Sequence, residues 1–200
     1  MLITLEGIDG AGKTTVAAGL AGALGAVLLR EPGGVALSER IRELVKDPEL
    51  DVDPRAEALL YAAARAQLVA ERLRPLLAEG ATVLLDRFVD SSLAYQGAGR
   101  DLGVEEIRTL NLFATGGLVP DRTLLLRIDP AAGLGRAAGR GEVADRLEQE
   151  DLAFFAAIGA AYDALAAAEP ERFAVLDAAN EPRSVLVEAV AAVVPLLQSP

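Results

Sequence analysis

Five short apolar runs alternate along the chain with longer segments whose apolar residues recur every three to four positions. The runs are predicted strands, at residues 1–5, 26–29, 81–86, 123–128 and 173–176. The longer segments are predicted helices, at 13–24, 36–45, 55–77, 104–114, 147–168 and 182–197, with a further helix that begins at Pro130. This alternation predicts an α/β fold in one domain, residues 1–200, with a parallel sheet covered by helices on both faces.

A glycine-rich turn follows the first predicted strand and leads into the first predicted helix. It matches the pattern G-x-x-x-x-G-K-S/T of the P-loop, in which backbone N–H groups cradle phosphates at the positive end of a helix. We predict that Lys13 reaches the β- and γ-phosphates of ATP and that the Thr14 hydroxyl binds Mg²⁺. The predicted nucleotide site comprises Gly7, Asp9, Gly10, Ala11, Gly12, Lys13, Thr14 and Thr15. The alternative is a glycine-rich turn that binds nothing.

The composition of the chain excludes several classes of partner and of catalysis. The net charge of −11 argues against a nucleic acid polymer as partner, because such binding depends on a basic surface. The chain has no cysteine and no histidine, which excludes disulfides, thiolate metal sites and imidazole catalysis. No apolar run is long enough to span a membrane, and the chain begins directly on its first predicted strand, so we expect a cytoplasmic protein without a membrane partner.

Asp86 ends the third predicted strand, and an aspartate in this position binds Mg²⁺ in P-loop proteins. The alternative is an aspartate that caps the next turn. A P-loop by itself does not separate GTPases, ATPases and small-molecule kinases. The guanine-reading N-K-x-D motif is absent, however, and the arginines outside the P-loop favour a kinase whose acceptor is itself an anion.

Several motifs together resemble the thymidylate kinase family. They are Leu5–Thr15, Arg30–Gly34, Tyr61–Arg65, Asp86–Phe88 with Ser91 and Ser92, Ala94–Gly97, and Asp145–Glu148. The resemblance covers residues 2 to about 177. It implies a P-loop fold of the nucleoside-monophosphate-kinase type and the Mg²⁺-dependent reaction of ATP with dTMP to ADP and dTDP. Two alternatives stay open: another P-loop kinase of small anionic or nucleoside acceptors, and an ATP-binding switch that transfers nothing.

The same resemblance implies roles for individual residues. Tyr61 would stack on thymine with Arg65 one helical turn later, and Arg87 and Arg42 would hold the monophosphate. The remaining expected substrate contacts are Ser91, Ser92 and Gln96 at the base edge, Tyr95 against the 2′ position of the sugar, Asp9 at the 3′-hydroxyl, and Glu31. The plainer alternatives are a core aromatic for Tyr61 and surface arginines for Arg42 and Arg87.

One branch of the family carries an arginine at the position of Gly10, and the other supplies that charge from a lid. This chain resembles the second branch, and we expect a lid at about residues 136–147. The predicted catalytic residues are Lys13, Asp9, Arg87 and the lid arginines Arg136, Arg140 and Arg146. The apolar helices predicted at 55–77 and 104–114 indicate, as in the family, a homodimer.

Overall fold

All five predicted strands form, and they make one parallel sheet in the order β2-β3-β1-β4-β5. The computed structural model describes residues 1–139, 141 and 145–197. The strands are β1 (Leu2–Glu6), β2 (Val27–Arg30), β3 (Val83–Asp86), β4 (Arg122–Arg127) and β5 (Phe173–Asp177). The predicted α/β fold with a five-stranded parallel sheet is therefore confirmed.

Helices connect the strands. They are α1 (Lys13–Leu24), α2 (Ala36–Lys46), α3 (Pro54–Leu68), α4 (Arg74–Ala78), α5 (Val89–Ser92), α6 (Val104–Thr115), α7 (Pro130–Ala138), α8 (Leu152–Ala168) and α9 (Pro182–Leu197), with π-helical segments at Val69–Leu73 and Leu93–Gly99. Within the described ranges, no helix is long and apolar enough to cross a membrane.

Two predicted helices differ from the structure. The helix predicted at 55–77 is divided into α3, a π-helical segment and α4, because Pro75 lacks the N–H that a regular helix would need there. The helix predicted from residue 147 begins at Leu152, because the Asp151 carboxylate accepts a hydrogen bond from the Phe154 N–H and caps it. The helical stretch from α5 through Gly99 was not predicted.

The central strands are buried on both faces, which explains their nearly continuous apolar sequences. On one face, Ile3 and Leu5 belong to the core cluster that includes Leu20 of α1 and Ala189 of α9. On the other face, Leu2 lies in a second cluster, with buried side chains of β3 and of the helical run 68–73. This packing fixes the carboxyl ends of β1, β2 and β3 at one edge of the sheet, where a parallel sheet binds its ligands.

Candidate active site

A cavity of about 960 Å³ lies at this edge and extends from the P-loop to α3 and the π-helical segment Leu93–Gly99. Most predicted site residues line it: Asp9, Gly10, Gly12, Lys13, Thr14, Thr15, Glu31, Arg42, Tyr61, Arg65, Asp86, Arg87, Ser91, Ser92, Tyr95, Gln96 and Arg136. Gly7, Ala11 and Arg146 do not line it, and Arg140 lies outside the described residues.

The P-loop wraps around the Lys13 ammonium. Gly12 takes a left-handed conformation, with φ of 87°, and so turns the chain into α1. Lys13 Nζ donates hydrogen bonds to the carbonyl oxygens of Gly7, at 3.0 Å, and Ile8, at 2.8 Å. Burial, followed by the charge of Arg87, lowers the pKa of Lys13 to about 8. The charged form of Lys13 is therefore disfavoured in the free site, and an anion that binds beside it would stabilise that charge.

Gly10 allows the P-loop to pack closely against α7, which was not predicted from the sequence. Its φ is +77°, and a Cβ atom built on it would lie 1.9 Å from the carbonyl oxygen of Gly133 in α7. Any side chain at this position would collide with backbone atoms, so the P-loop and α7 approach each other as closely as their main chains allow. The absence of an arginine at Gly10 follows from this packing.

Arg87 ties the P-loop to the opposite wall of the cavity. Its Nη2 donates to Asp9 Oδ1 at 2.7 Å and to the Tyr95 hydroxyl at 3.1 Å, and the Tyr95 hydroxyl in turn donates to Asp9 Oδ2 at 2.9 Å. Although burial alone would raise the pKa of Asp9, the charges of Arg87 and Lys13 lower it well below its usual range. Arg87 also has φ of 70°, a strained conformation for a residue with a side chain, of a kind found at functional sites.

Glu6, the last residue of β1, supports this cluster from beneath and was not predicted. Its side chain is fully buried and accepts hydrogen bonds from the Phe88 N–H at 2.8 Å, the Ser91 hydroxyl at 2.5 Å and the Tyr162 hydroxyl at 2.8 Å. Burial, together with the nearby Asp90, raises the pKa of Glu6 to about 7. The one sequence signal for this role is a carboxylate at the end of an apolar strand.

Arg65 lies at the α3 end of the cavity with a side chain that is only 1% exposed. Its Nε donates to Glu31 Oε2 at 2.7 Å, Nη1 to Ser92 and Asn111, and Nη2 to the Phe88 carbonyl oxygen at 2.8 Å. A guanidinium has five N–H donors, so these four contacts leave one without a partner among the described residues. Asn111 of α6, which orients Arg65, was not predicted.

Two carboxylates at the strand ends have an oxygen without a partner. Glu31 Oε1 and Asp86 Oδ1 are buried and accept no hydrogen bond in the described part of the chain. Burial raises the pKa of Glu31 to about 7 although Arg65 counteracts it. Asp86 and Thr14 both line the cavity, and carboxylate and hydroxyl oxygens suit Mg²⁺. Among the described residues there is no group of three or more aspartate, glutamate, histidine or cysteine side chains that could hold a metal ion.

The lid arginines occupy different places. Arg136 lies in the last turn of α7 and lines the cavity, and its Nη1 donates to the Ala178 carbonyl oxygen at 2.7 Å. The predicted lid at 136–147 thus begins inside a helix. Arg146 donates to Glu57 and, at 3.1 Å, to the Val45 carbonyl oxygen. The described arginines therefore face two different ends of the site.

Comparisons with known proteins agree on one family. The family model described as thymidylate kinase matches residues 5–189. The chain is 52% identical over 198 residues to a thymidylate kinase of Deinococcus radiodurans, covering 96% of each protein. It is 47% identical over 205 residues to one from Lactobacillus delbrueckii subsp. bulgaricus, covering 98% of this chain and 95% of that protein. The crystal structure of thymidylate kinase from Ehrlichia chaffeensis superposes with a TM-score of 0.78 at 30% identity, covering 100% of this chain and 98% of that one.

Proposed function

The chain belongs to the thymidylate kinase family, and we propose that it transfers the γ-phosphoryl group of ATP to dTMP, which gives ADP and dTDP. The observation that carries this proposal is one continuous cavity with a P-loop at one end and Tyr61 and Arg65 at the other. A phosphate donor and a nucleotide acceptor can therefore meet inside the same enclosure.

The reaction needs no general base, because the acceptor is a phosphate that is already ionised near neutral pH. Catalysis then consists of aligning two polyanions that repel each other and neutralising their charge. Lys13 lies in the P-loop, where the donor phosphates would be, and Arg42 and Arg87 line the cavity toward the acceptor. We assign the acceptor phosphate to these two arginines.

Mg²⁺, held by Asp86 and Thr14, would neutralise charge on the β- and γ-phosphates of ATP. The buried Oδ1 atom of Asp86, which has no partner among the described residues, supports this assignment. The two residues lie at the ends of β3 and the P-loop, both on the cavity wall, so the donor end of the cavity supplies the oxygen ligands.

The acceptor end matches a deoxythymidine nucleotide. Tyr61 offers an aromatic face for stacking, and the unpartnered N–H of Arg65 can donate to a carbonyl oxygen of the base. The Tyr95 hydroxyl donates to Asp9, which supports our assignment of both residues to the sugar. In this proposal the Tyr95 ring excludes a 2′-hydroxyl, and Asp9 accepts a hydrogen bond from the 3′-hydroxyl.

A homodimer completes the proposal. Helices α3 and α6 pack against each other and expose large apolar side chains: Leu59 is 58% exposed, Leu112 63% and Phe113 89%. Exposed apolar groups of this size on adjacent helices are typical of a surface that a second copy covers. Light scattering after gel filtration should give twice the mass of the chain, and Phe113→Glu should lower it toward the monomer. A wild-type monomer would refute this part of the proposal.

The activity itself is tested by an ADP-release assay with ATP, Mg²⁺ and one acceptor at a time: dTMP, dUMP, dGMP or thymidine. We expect fast turnover with dTMP and loss of turnover in Lys13→Ala. Fast turnover with another acceptor instead would favour a different small-molecule kinase, and slow ATP hydrolysis that no acceptor accelerates would favour an ATP-binding switch. The predicted cytoplasmic location remains a prediction.

A further inference from the structure

Glu57 of α3 is a fully buried carboxylate near the acceptor end of the site, and the proposed reaction does not require it to contact either substrate. Its Oε1 accepts hydrogen bonds from Gln96 Nε2 at 2.8 Å and, more weakly, from Arg100 Nε at 3.4 Å. Its Oε2 accepts from Arg100 Nη2 at 3.1 Å and from Arg146 Nη2. Glu57 thus joins the π-helical segment that carries Gln96 to Arg146, near the end of the predicted lid.

Glu57 also lies directly beside the predicted base contacts. It precedes Tyr61 by four residues and Arg65 by eight, so all three project from the same face of α3. Gln96 lines the cavity, as do Tyr61 and Arg65. A side chain that fixes Gln96 therefore acts where the base would be read.

The contact with Glu57 determines which way the Gln96 amide points. The two oxygens of Glu57 act as acceptors toward their arginine and glutamine partners, so the amide group of Gln96 must turn its NH₂ toward Glu57. The amide oxygen is then the atom left for the cavity, which Gln96 lines. Gln96 cannot reverse its amide without bringing two acceptor oxygens together.

We propose that Glu57 is a specificity-determining positioning residue, which locks Gln96 as a hydrogen-bond acceptor and thereby selects bases whose N3 carries a proton. This rests on the function proposed above. Thymine and uracil present an N3–H donor to such an oxygen, whereas the N3 of cytosine is an acceptor and would face it with like polarity. Two acceptors that face each other in a buried site have no hydrogen bond to make, so cytosine would bind much less well than thymine.

The test is the ratio of kcat/KM for dTMP to that for dCMP in Glu57→Gln. The oxygen of the new amide is favoured at the position of Oε2, where both arginines donate from Nη2, because Arg100 Nε donates at the position of Oε1 only at 3.4 Å. The NH₂ group then takes the position of Oε1 and faces Gln96. Gln96 then reverses and presents NH₂ to the cavity, which weakens binding of N3–H bases and improves binding of cytosine. We expect the ratio to fall by at least about tenfold. A ratio equal to that of the wild type would overturn the proposal.

Three further variants separate this effect from lost packing or charge. Glu150→Gln removes the other carboxylate that pairs with Arg100 and should leave the ratio unchanged. The exchange Glu57→Gln with Gln96→Glu restores an acceptor toward the cavity and should restore the preference for dTMP. If Glu57→Gln does not fold, Glu57→Asp keeps the charge but withdraws the carboxylate from Gln96, and it should also lower the ratio.

The outcomes distinguish this inference from the proposed function. If the wild-type enzyme does not phosphorylate dTMP at all, the proposed function fails. If it does, and Glu57→Gln and Glu57→Asp keep the wild-type ratio, then only the role of Glu57 is refuted. A fall in the ratio for Glu150→Gln as large as that for Glu57→Gln would also refute it, because the effect would then come from the ion pairs of Arg100.

Discussion

Binding of ATP should take up a proton above pH 8, because Lys13 is partly neutral in the free enzyme. Burial lowers its pKa from 10.5 to about 8, which disfavours the charged form by about 3 kcal/mol. The β- and γ-phosphates of bound ATP favour the ammonium and should return the pKa toward its ordinary value. At pH 9 only about a tenth of Lys13 is charged in the free enzyme, so about 0.9 proton should enter with each ATP.

Titration calorimetry measures this uptake directly. The observed binding enthalpy at pH 9 is compared in two buffers whose ionisation enthalpies differ, and the difference gives the number of protons taken up. At pH 7 the same experiment should give about 0.1 proton, since Lys13 is already charged there. Above pH 8 the affinity for ATP should fall as the pH rises, with a slope that approaches about tenfold per pH unit.

Lys13→Arg is the matched control, because a guanidinium stays charged throughout this range. Its proton uptake at pH 9 should be near zero. Equal uptake in the wild type and in Lys13→Arg, or less than about 0.2 proton in the wild type, would refute the argument. The pH dependence of unfolding tests the direction of the Lys13 pKa shift independently. Between pH 8 and 10.5 the unfolded chain binds more protons at Lys13 than the folded chain, so the free energy of unfolding should rise with pH relative to Lys13→Met.

Three further predictions concern the sugar, the lid and the P-loop. Tyr95→Ala should open space at the 2′ carbon and raise kcat/KM for the ribonucleotide relative to dTMP; an unchanged ratio would mean that Tyr95 only packs. Of Arg136→Ala, Arg140→Ala and Arg146→Ala, at least one should lower kcat on the order of 100-fold with little change in KM, as the loss of a transition-state contact does; wild-type kcat in all three would mean that another residue supplies the charge. Gly10→Ala should lower both the melting temperature and kcat because its Cβ meets the α7 backbone, whereas Gly22→Ala in α1, where nothing lies within 4 Å, should stabilise the fold by about 0.5–1 kcal/mol.

The sheet could be predicted from the sequence because its strands are buried on both faces. Such strands consist of short apolar runs that stand out between amphipathic helices. The P-loop could be predicted because its geometry requires glycines and a lysine at fixed spacing, and Gly7, Gly12 and Lys13 meet that requirement. Helix ends were less predictable. The start of α8 depends on the Asp151 cap, which follows four residues, 147–150, that were predicted to be helical and are not.

The helical stretch from Val89 to Gly99 could not be predicted for a different reason. Its buried residues mix the polar Ser91, Ser92 and Gln96 with the apolar Leu93 and Ala94, and it also contains two glycines, which are poor helix formers. The polar side chains are stabilised by partners from distant parts of the chain: Ser91 by Glu6, Ser92 by Arg65, and Gln96 by Glu57. Apolar periodicity is a weak signal for a helix that buries polar side chains through such long-range contacts.

The sequence also could not separate the roles of the lid arginines. The structure gives Arg136 and Arg146 different surroundings. Gly10 packs on the backbone of α7, so the start of that helix is fixed against the P-loop, and Arg136 at its other end lines the cavity. Arg146, by contrast, pairs with the buried Glu57 that holds Gln96. Loss of Arg146 would leave the buried Glu57 with Arg100 as its one arginine partner among the described residues, so it should disturb base selection as well as turnover. Among the described lid arginines, Arg136 is therefore the stronger candidate for charge neutralisation at the phosphates, and Arg146 for coupling the lid to recognition of the base.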